Sequence, residues 1–185
     1  MKPRTHYLIA KIAAIQENLS PIERWFFCLG AAIPDYLPTQ FFHRHFYQKS
    51  AAYVFQKIET YRNRSSLWSI FKLGELTHYT SDFCCSVHRS GAIGNAWIHL
   101  SYEHYMQIYL LSHFNMLFAE NRTRALPLSF SAVLQSYFQQ SEQNFHTDLS
   151  AAIQTSFAIC RLRGTVSVPI KYIGGVPNGN CHTSI

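Results

Sequence analysis

No apolar run in this chain approaches the roughly 18 residues that a membrane-crossing helix needs. The longest, Ala51 to Phe55 and the stretch around Leu110, are cut by polar residues well before that, which predicts no transmembrane helix. No secretory leader is expected either. Met1-Lys2-Pro3-Arg4-Thr5-His6 is basic, but Lys11 interrupts the apolar segment Tyr7 to Ala14 and no small-residue cleavage site follows. The expectation is a mature, cytoplasmic chain. Cysteine is sparse: Cys28, Cys84, Cys85, Cys160 and Cys181 are odd in number and form no C-x-x-C pair. That argues against a disulfide framework or a zinc finger and fits free thiols in a reducing compartment. Strand-like alternation, internal repeats and low-complexity tracts are also missing, which disfavours β and solenoid architectures.

What is present is a core. The 185 residues are 48% apolar, enough for one domain and too many for disorder. Apolar residues recur at helical spacing over about 4 to 18, 50 to 62, 65 to 87, 94 to 119 and 128 to 162, the last open to a break near Asn144. Pro21, Pro34 and Pro38 are read as breaking the region between the first two helices, and Arg89-Ser90-Gly91 and Asn121 to Pro127 as loops. From Gly164 onward, Gly174-Gly175 and Pro177-Asn178-Gly179 cannot continue a helix. The predicted fold is therefore all-α: a single-domain helical bundle over residues 1–163 with an irregular tail over 164–185.

Acidic side chains number only ten, as do histidines, so where they coincide is informative. His78-Tyr79-Thr80-Ser81-Asp82 and His99-Leu100-Ser101-Tyr102-Glu103 each set an imidazole and a carboxylate at i and i+4, on one face of a helix. Facing helices of a bundle build metal sites from such pairs, and zinc accepts both ligand types. His88 follows Asp82 by six residues and can fold back to the same face. Asp35 lies in the Pro-rich bend Gly30-Ala31-Ala32-Ile33-Pro34-Asp35, ahead of His43 and His45, and His6 is close enough to the chain start for the amine and carbonyl of Met1 to join it. Taken singly, each has a plain explanation: a solvated H-x-x-x-D, a surface His6, or packing histidines among Phe41, Phe42, Phe46 and Tyr47. Their combination on consecutive predicted helices points to a metal cluster.

The segment Leu73-Gly74-Glu75-Leu76-Thr77-His78-Tyr79-Thr80-Ser81-Asp82, followed by His88, resembles the pattern L-G-x-x-x-H-Y-x-x-D-x(5)-H of the zinc-dependent phospholipase C family, whose fold is shared with single-strand-specific zinc nucleases. The resemblance runs from His6 to Glu103. It implies a first zinc on Asp35, His45 or His43, His78 and Asp82, with His45 favoured by spacing. A second would use His88, His99 and Glu103, bridged by Asp82. A third would use His6, the Met1 amine and carbonyl, and Asp82; the bulky Lys2 predicts that Met1 is retained. Against the secreted enzymes the resemblance implies a shorter chain, expected to be without the additional lipid-binding domain of the toxin members.

Two to three zinc ions so arranged imply a phosphoric ester hydrolase. Two of them, roughly 3.5 to 4 Å apart, would generate a metal-bound hydroxide and stabilise charge on the phosphoryl oxygens, with Asp35 as general base. A phospholipid headgroup ester is the expected substrate. Peripheral membrane contact would come through Trp25, Phe26, Phe27, Phe41, Phe42 and Phe46, whose alternative place is the core. Single-stranded nucleic acid is the less favoured phosphodiester, and a non-catalytic metal-bound module is the third reading. The net charge of +6 suits any phosphate. No protein partner is predicted.

Overall fold

The computed structural model describes residues 1–36, 46–88, 95–123, 129–142 and 144–164. Helix is the only regular structure among them, as the periodicity predicts. In chain order these are α1 (Pro3–Gln16), α2 (Pro21–Ala32), α3 (Tyr47–Tyr61), α4 (Leu67–Phe83), α5 (Ala96–Ser112), α6 (Phe114–Thr123), α7 (Phe130–Gln139) and α8 (Phe145–Cys160). Short 3-10 turns at Ile33–Tyr36 and Ser86–His88 follow α2 and α4.

The sequence reading misses α2. Pro21 is not a breaker there but the first helical residue, where its missing N–H costs nothing. Ser20 caps the helix, its side chain accepting from the Glu23 N–H while the Glu23 carboxylate accepts from the Ser20 N–H. The predicted helix over 65 to 87 stops earlier: α4 ends at Phe83, and His88 closes the 3-10 turn instead. The stretch 94 to 119 is divided at His113, which leaves helical geometry while its N–H still reaches the Tyr109 carbonyl. Asn144 does begin a separate helix, with a reciprocal cap between its side chain and Thr147. Asn121 is not in a loop. It is fully buried in α6, donating to the Leu117 carbonyl and Ser150 Oγ.

α4 and α8 form the centre. Every residue of α4 from Leu76 to Phe83 is buried, as is every residue of α8 from Asp148 to Cys160, so the polar side chains in both stretches are enclosed in the bundle. α1, α2 and α3 pack on α4, and α1 and α7 on α8. The α2–α4 crossing is unusually close. A Cβ at Gly74 would strike the Phe27 carbonyl oxygen, and one at Gly30 would strike the Phe71 carbonyl oxygen. Gly74 therefore serves the packing that brings the end of α2 against the His78 face of α4. Gly74→Ala should force the helices apart, cost about 3 kcal/mol, and lower the melting temperature by roughly 6–12 °C. A melt within a degree of wild type would refute this account.

Of the aromatic residues named as lipid contacts, Phe27 and Phe46 are core and Phe26 is partly buried, whereas Trp25 is exposed. Phe41 and Phe42 lie outside the described residues. Cys28, Cys84, Cys85 and Cys160 are buried free thiols, and burial pushes them up, Cys28 to about 11. No described helix is long and apolar enough to cross a membrane.

Candidate metal centre

α1, α4 and α5, with the two 3-10 turns, bring seven of the predicted side chains and the Met1 amine into one buried cluster. His6 projects from α1 onto His78 of α4, their ring centroids 3.8 Å apart. Asp82, one turn after His78, lies at the middle. Its Oδ1 is 2.5 Å from the Met1 nitrogen, 3.3 Å from His6 Nε2 and 3.9 Å from His88 Nε2, and its Oδ2 is 3.6 Å from His78 Nε2. Asp35, in the turn after α2, faces the first pair, with Oδ1 3.7 Å from His78 Nε2 and Oδ2 4.0 Å from His6 Nε2.

Glu103 collects the other end. Its Oε1 lies 3.1 Å from His88 Nε2, 3.1 Å from His99 Nε2 and 3.0 Å from the Met1 nitrogen. Among the described residues, two triads have ligand atoms mutually within 4.8 Å: His6, His78 and Asp82, and His88, His99 and Glu103. The amine lies between them, 3.4 Å from His88 Nε2 as well as close to both carboxylates. His43 and His45 lie outside the described residues.

The donors suit zinc in kind and in preparation. The Ala31 carbonyl, 3.0 Å from His78 Nδ1, can only accept. Nδ1 therefore carries the proton and Nε2 the lone pair, the orientation a ligating imidazole needs. Neither ring nitrogen of the buried His6 makes a hydrogen bond, an expensive condition unless a metal accepts one of them. Asp82 and Glu103 share the Met1 ammonium and Asp35 faces only His6 and His78, so with neutral imidazoles three carboxylates stand against one ammonium and the cluster holds excess buried negative charge. Burial holds His88 below the usual histidine value, although Asp82 pulls the other way. Burial also opposes charge on Glu103, but hydrogen bonds with His88 and His99 and the nearby amine hold its carboxyl well below the usual range. The Met1 amine responds in the same way: burial works against its charge, yet Asp82 and Glu103 prevail and push it up to about 12. The lowered Glu103 carboxyl and the raised Met1 amine both mark surroundings that favour positive charge, while His88 is kept towards its neutral, ligating form.

An all-α bundle with imidazoles and carboxylates converging at its centre defines a helical metal-binding protein. Residues 5–158 match the model of one family, zinc dependent phospholipase C, and the chain belongs to that family. No curated protein and no solved structure matches it. Family and donor groups together make it a zinc-dependent hydrolase by class.

Sequence reasoning passes over Asp148, the only Asp, Glu, Lys or Arg in α8 and fully buried. It accepts hydrogen bonds from Ser86, Tyr102 and Tyr137. Burial pushes both phenols up and Asp148 adds to it, so they remain protonated donors. A lone acid in an apolar helix was the available signal.

Proposed function

We propose that the protein is a phospholipase C-like phosphodiesterase of phospholipid headgroup esters. It would hold two to three zinc ions through His6, Asp35, His78, Asp82, His88, His99, Glu103 and the Met1 amine, with His45 or His43 added from the segment after Asp35. The observation that carries this reading is the convergence of the seven described side chains and the Met1 amine in a buried cluster with excess negative charge. Zinc bound there supplies Lewis-acid activation of a water and of the phosphoryl oxygens. Asp35 is the most exposed carboxylate of the cluster, at 14%, and sits on a turn that Pro34 stiffens. It is the group placed to accept the proton of the attacking water. The closely packed Asp82 and Glu103 hold the imidazoles, and the buried walls limit water to the reacting face.

Access to lipid is supported by α5. Its inner face carries His99, Glu103, Met106 and Leu110, while Trp97, Ile98, Leu100, Tyr105 and Ile108 are exposed. Glu103 is the helix's only Asp, Glu, Lys or Arg. An exposed helix face that is largely apolar and aromatic, with His104 and the Lys2 ammonium at its side, suits a bilayer interface better than water. Tyr36, next to Asp35, and Trp25 are exposed as well. The protein would then work from the cytoplasm as a peripheral enzyme.

Zinc-loaded protein should hydrolyse phosphatidylcholine or phosphatidylglycerol in vesicles faster than it cleaves single-stranded DNA. Ile108→Glu should slow vesicle hydrolysis about tenfold, the effect of losing ~1.4 kcal/mol of interfacial binding, with a soluble short-chain ester hydrolysed as before. Cleavage of DNA alone would select the nuclease reading, and cleavage of neither substrate by fully metallated protein would select the non-catalytic module.

A further inference from the structure

Asp148 stands in the first turn of α8 but does not cap that helix, a task Asn144 performs. Its carboxylate instead reaches three other elements. Oδ2 accepts from the Ser86 backbone N–H at 2.8 Å, from Ser86 Oγ at 2.7 Å and from the Tyr102 hydroxyl at 2.8 Å. Oδ1 accepts from the Tyr137 hydroxyl of α7 at 2.8 Å. Ser86 Oγ and the Tyr102 hydroxyl also lie 3.2 Å apart. Four donors on a carboxylate with no solvent exposure make a fully committed buried network.

The residues it grips adjoin one of the two triads. Ser86 opens the 3-10 turn that ends in His88, and Tyr102 directly precedes Glu103, three residues after His99. Both elements meet the core at few points, Val87 from the turn and Met106, Leu110, Tyr102 and Tyr109 from α5. The turn is three residues long, and α5 buries only Glu103, Met106 and Leu110. The other triad differs, because His6, His78 and Asp82 stand on α1 and α4, both embedded in the core. An ion-binding geometry shared between a short turn and a lightly packed helix needs a tie between them, and outside the cluster Asp148 supplies it.

We propose that Asp148 is a positioning residue that clamps the Ser86–His88 turn to α5, and so sets the spacing of His88, His99 and Glu103 as one metal subsite. This rests on the zinc-binding reading above. Outer partners of this kind typically alter metal affinity by about 10- to 100-fold.

The test is competitive titration of zinc against a chromophoric chelator, with cobalt(II) absorption as a second readout, on wild type, Asp148→Asn and Tyr102→Phe. Asp148→Asn is expected to weaken one class of sites by about 10- to 100-fold and change its cobalt spectrum, leaving the other class as in wild type. Tyr102→Phe should move the same class in the same direction by less. Gln154→Ala is the control for plain destabilisation: it removes the donor to the Asn121 carbonyl at 3.1 Å elsewhere on α8 and should titrate as wild type. Folded variants that titrate as wild type, weakening of all classes alike, or the same shift in Gln154→Ala would each overturn the proposal. If Asp148→Asn does not fold, Tyr102→Phe decides by the same criteria. A wild type that takes up no zinc is the distinct result that removes the zinc reading itself, and this proposal with it.

Discussion

Asp82→Asn is expected to abolish most zinc binding and to lower hydrolysis by at least about a thousandfold, equivalent to roughly 4 kcal/mol of transition-state stabilisation. Asp82 stands at the middle of the described members of the cluster. The Met1 amine, His6, His78 and His88 all lie within 3.9 Å of one or other of its oxygens. Asparagine keeps the shape but removes the charge and turns one acceptor into a donor, so it opposes any cation those groups would share. Zinc-free protein should suffer too. The Met1 ammonium and Asp82 are both without exposure, and breaking a buried pair by removing one partner costs about 3 kcal/mol. His6→Ala provides the contrast, since His6 approaches Asp82 and Asp35 but not Glu103. It should lose about one zinc, measured by plasma mass spectrometry against protein concentration, with the His88, His99 and Glu103 group still loaded. Equal metal loss in the two variants would show that Asp82 is not shared.

The two i,i+4 pairs were legible because helix geometry alone puts their members on one face. His78 with Asp82 and His99 with Glu103 needed no tertiary information. Their meeting across α4 and α5, and the approach of His6, did need it, because Asp82 is 76 positions from His6 in sequence and periodicity says nothing about such contacts. α2 was illegible for a local reason. Pro21 reads as a stop unless the Ser20 and Glu23 cap around it is weighed, and then the same proline reads as a start. Gly74 was visible as a motif residue, but its physical cause lies in Gly30 and the Phe27 carbonyl of another helix. Asp148 is the extreme case. All its partners come from other elements, and the sequence shows only that an acid interrupts an apolar helix. The aromatics on either side of the Asp35 turn read as one group in the sequence, yet Phe46 packs against His88 at 5.7 Å between ring centroids while Trp25 of α2 faces solvent. Composition cannot divide a cluster of aromatics between core and surface.

Adding residues ahead of Met1 is expected to weaken zinc binding by about 10- to 100-fold, at least the effect of losing a partner that supports the ligands. Met1 is 4% exposed and its amine is fully buried, 2.5 Å from Asp82 and 3.0 Å from Glu103. A preceding peptide bond would convert that amine to an amide. It would lose its positive charge, its ability to ligate a metal when deprotonated, and its compensation of two carboxylates, while the added chain would have to pass through the cluster. The physical cost therefore comes from unpaired buried charge as well as from steric displacement. The decisive comparison uses one preparation carrying a cleavable amino-terminal extension, assayed for zinc content and thermal stability before and after proteolysis regenerates Met1. Zinc uptake and the melting temperature should both rise on cleavage, whereas removing an extension from the carboxyl end should change neither. Unchanged zinc content after cleavage would show that the amine only fills the cluster as a counter-charge and is dispensable to the metal, leaving the imidazoles and carboxylates as the whole of the site.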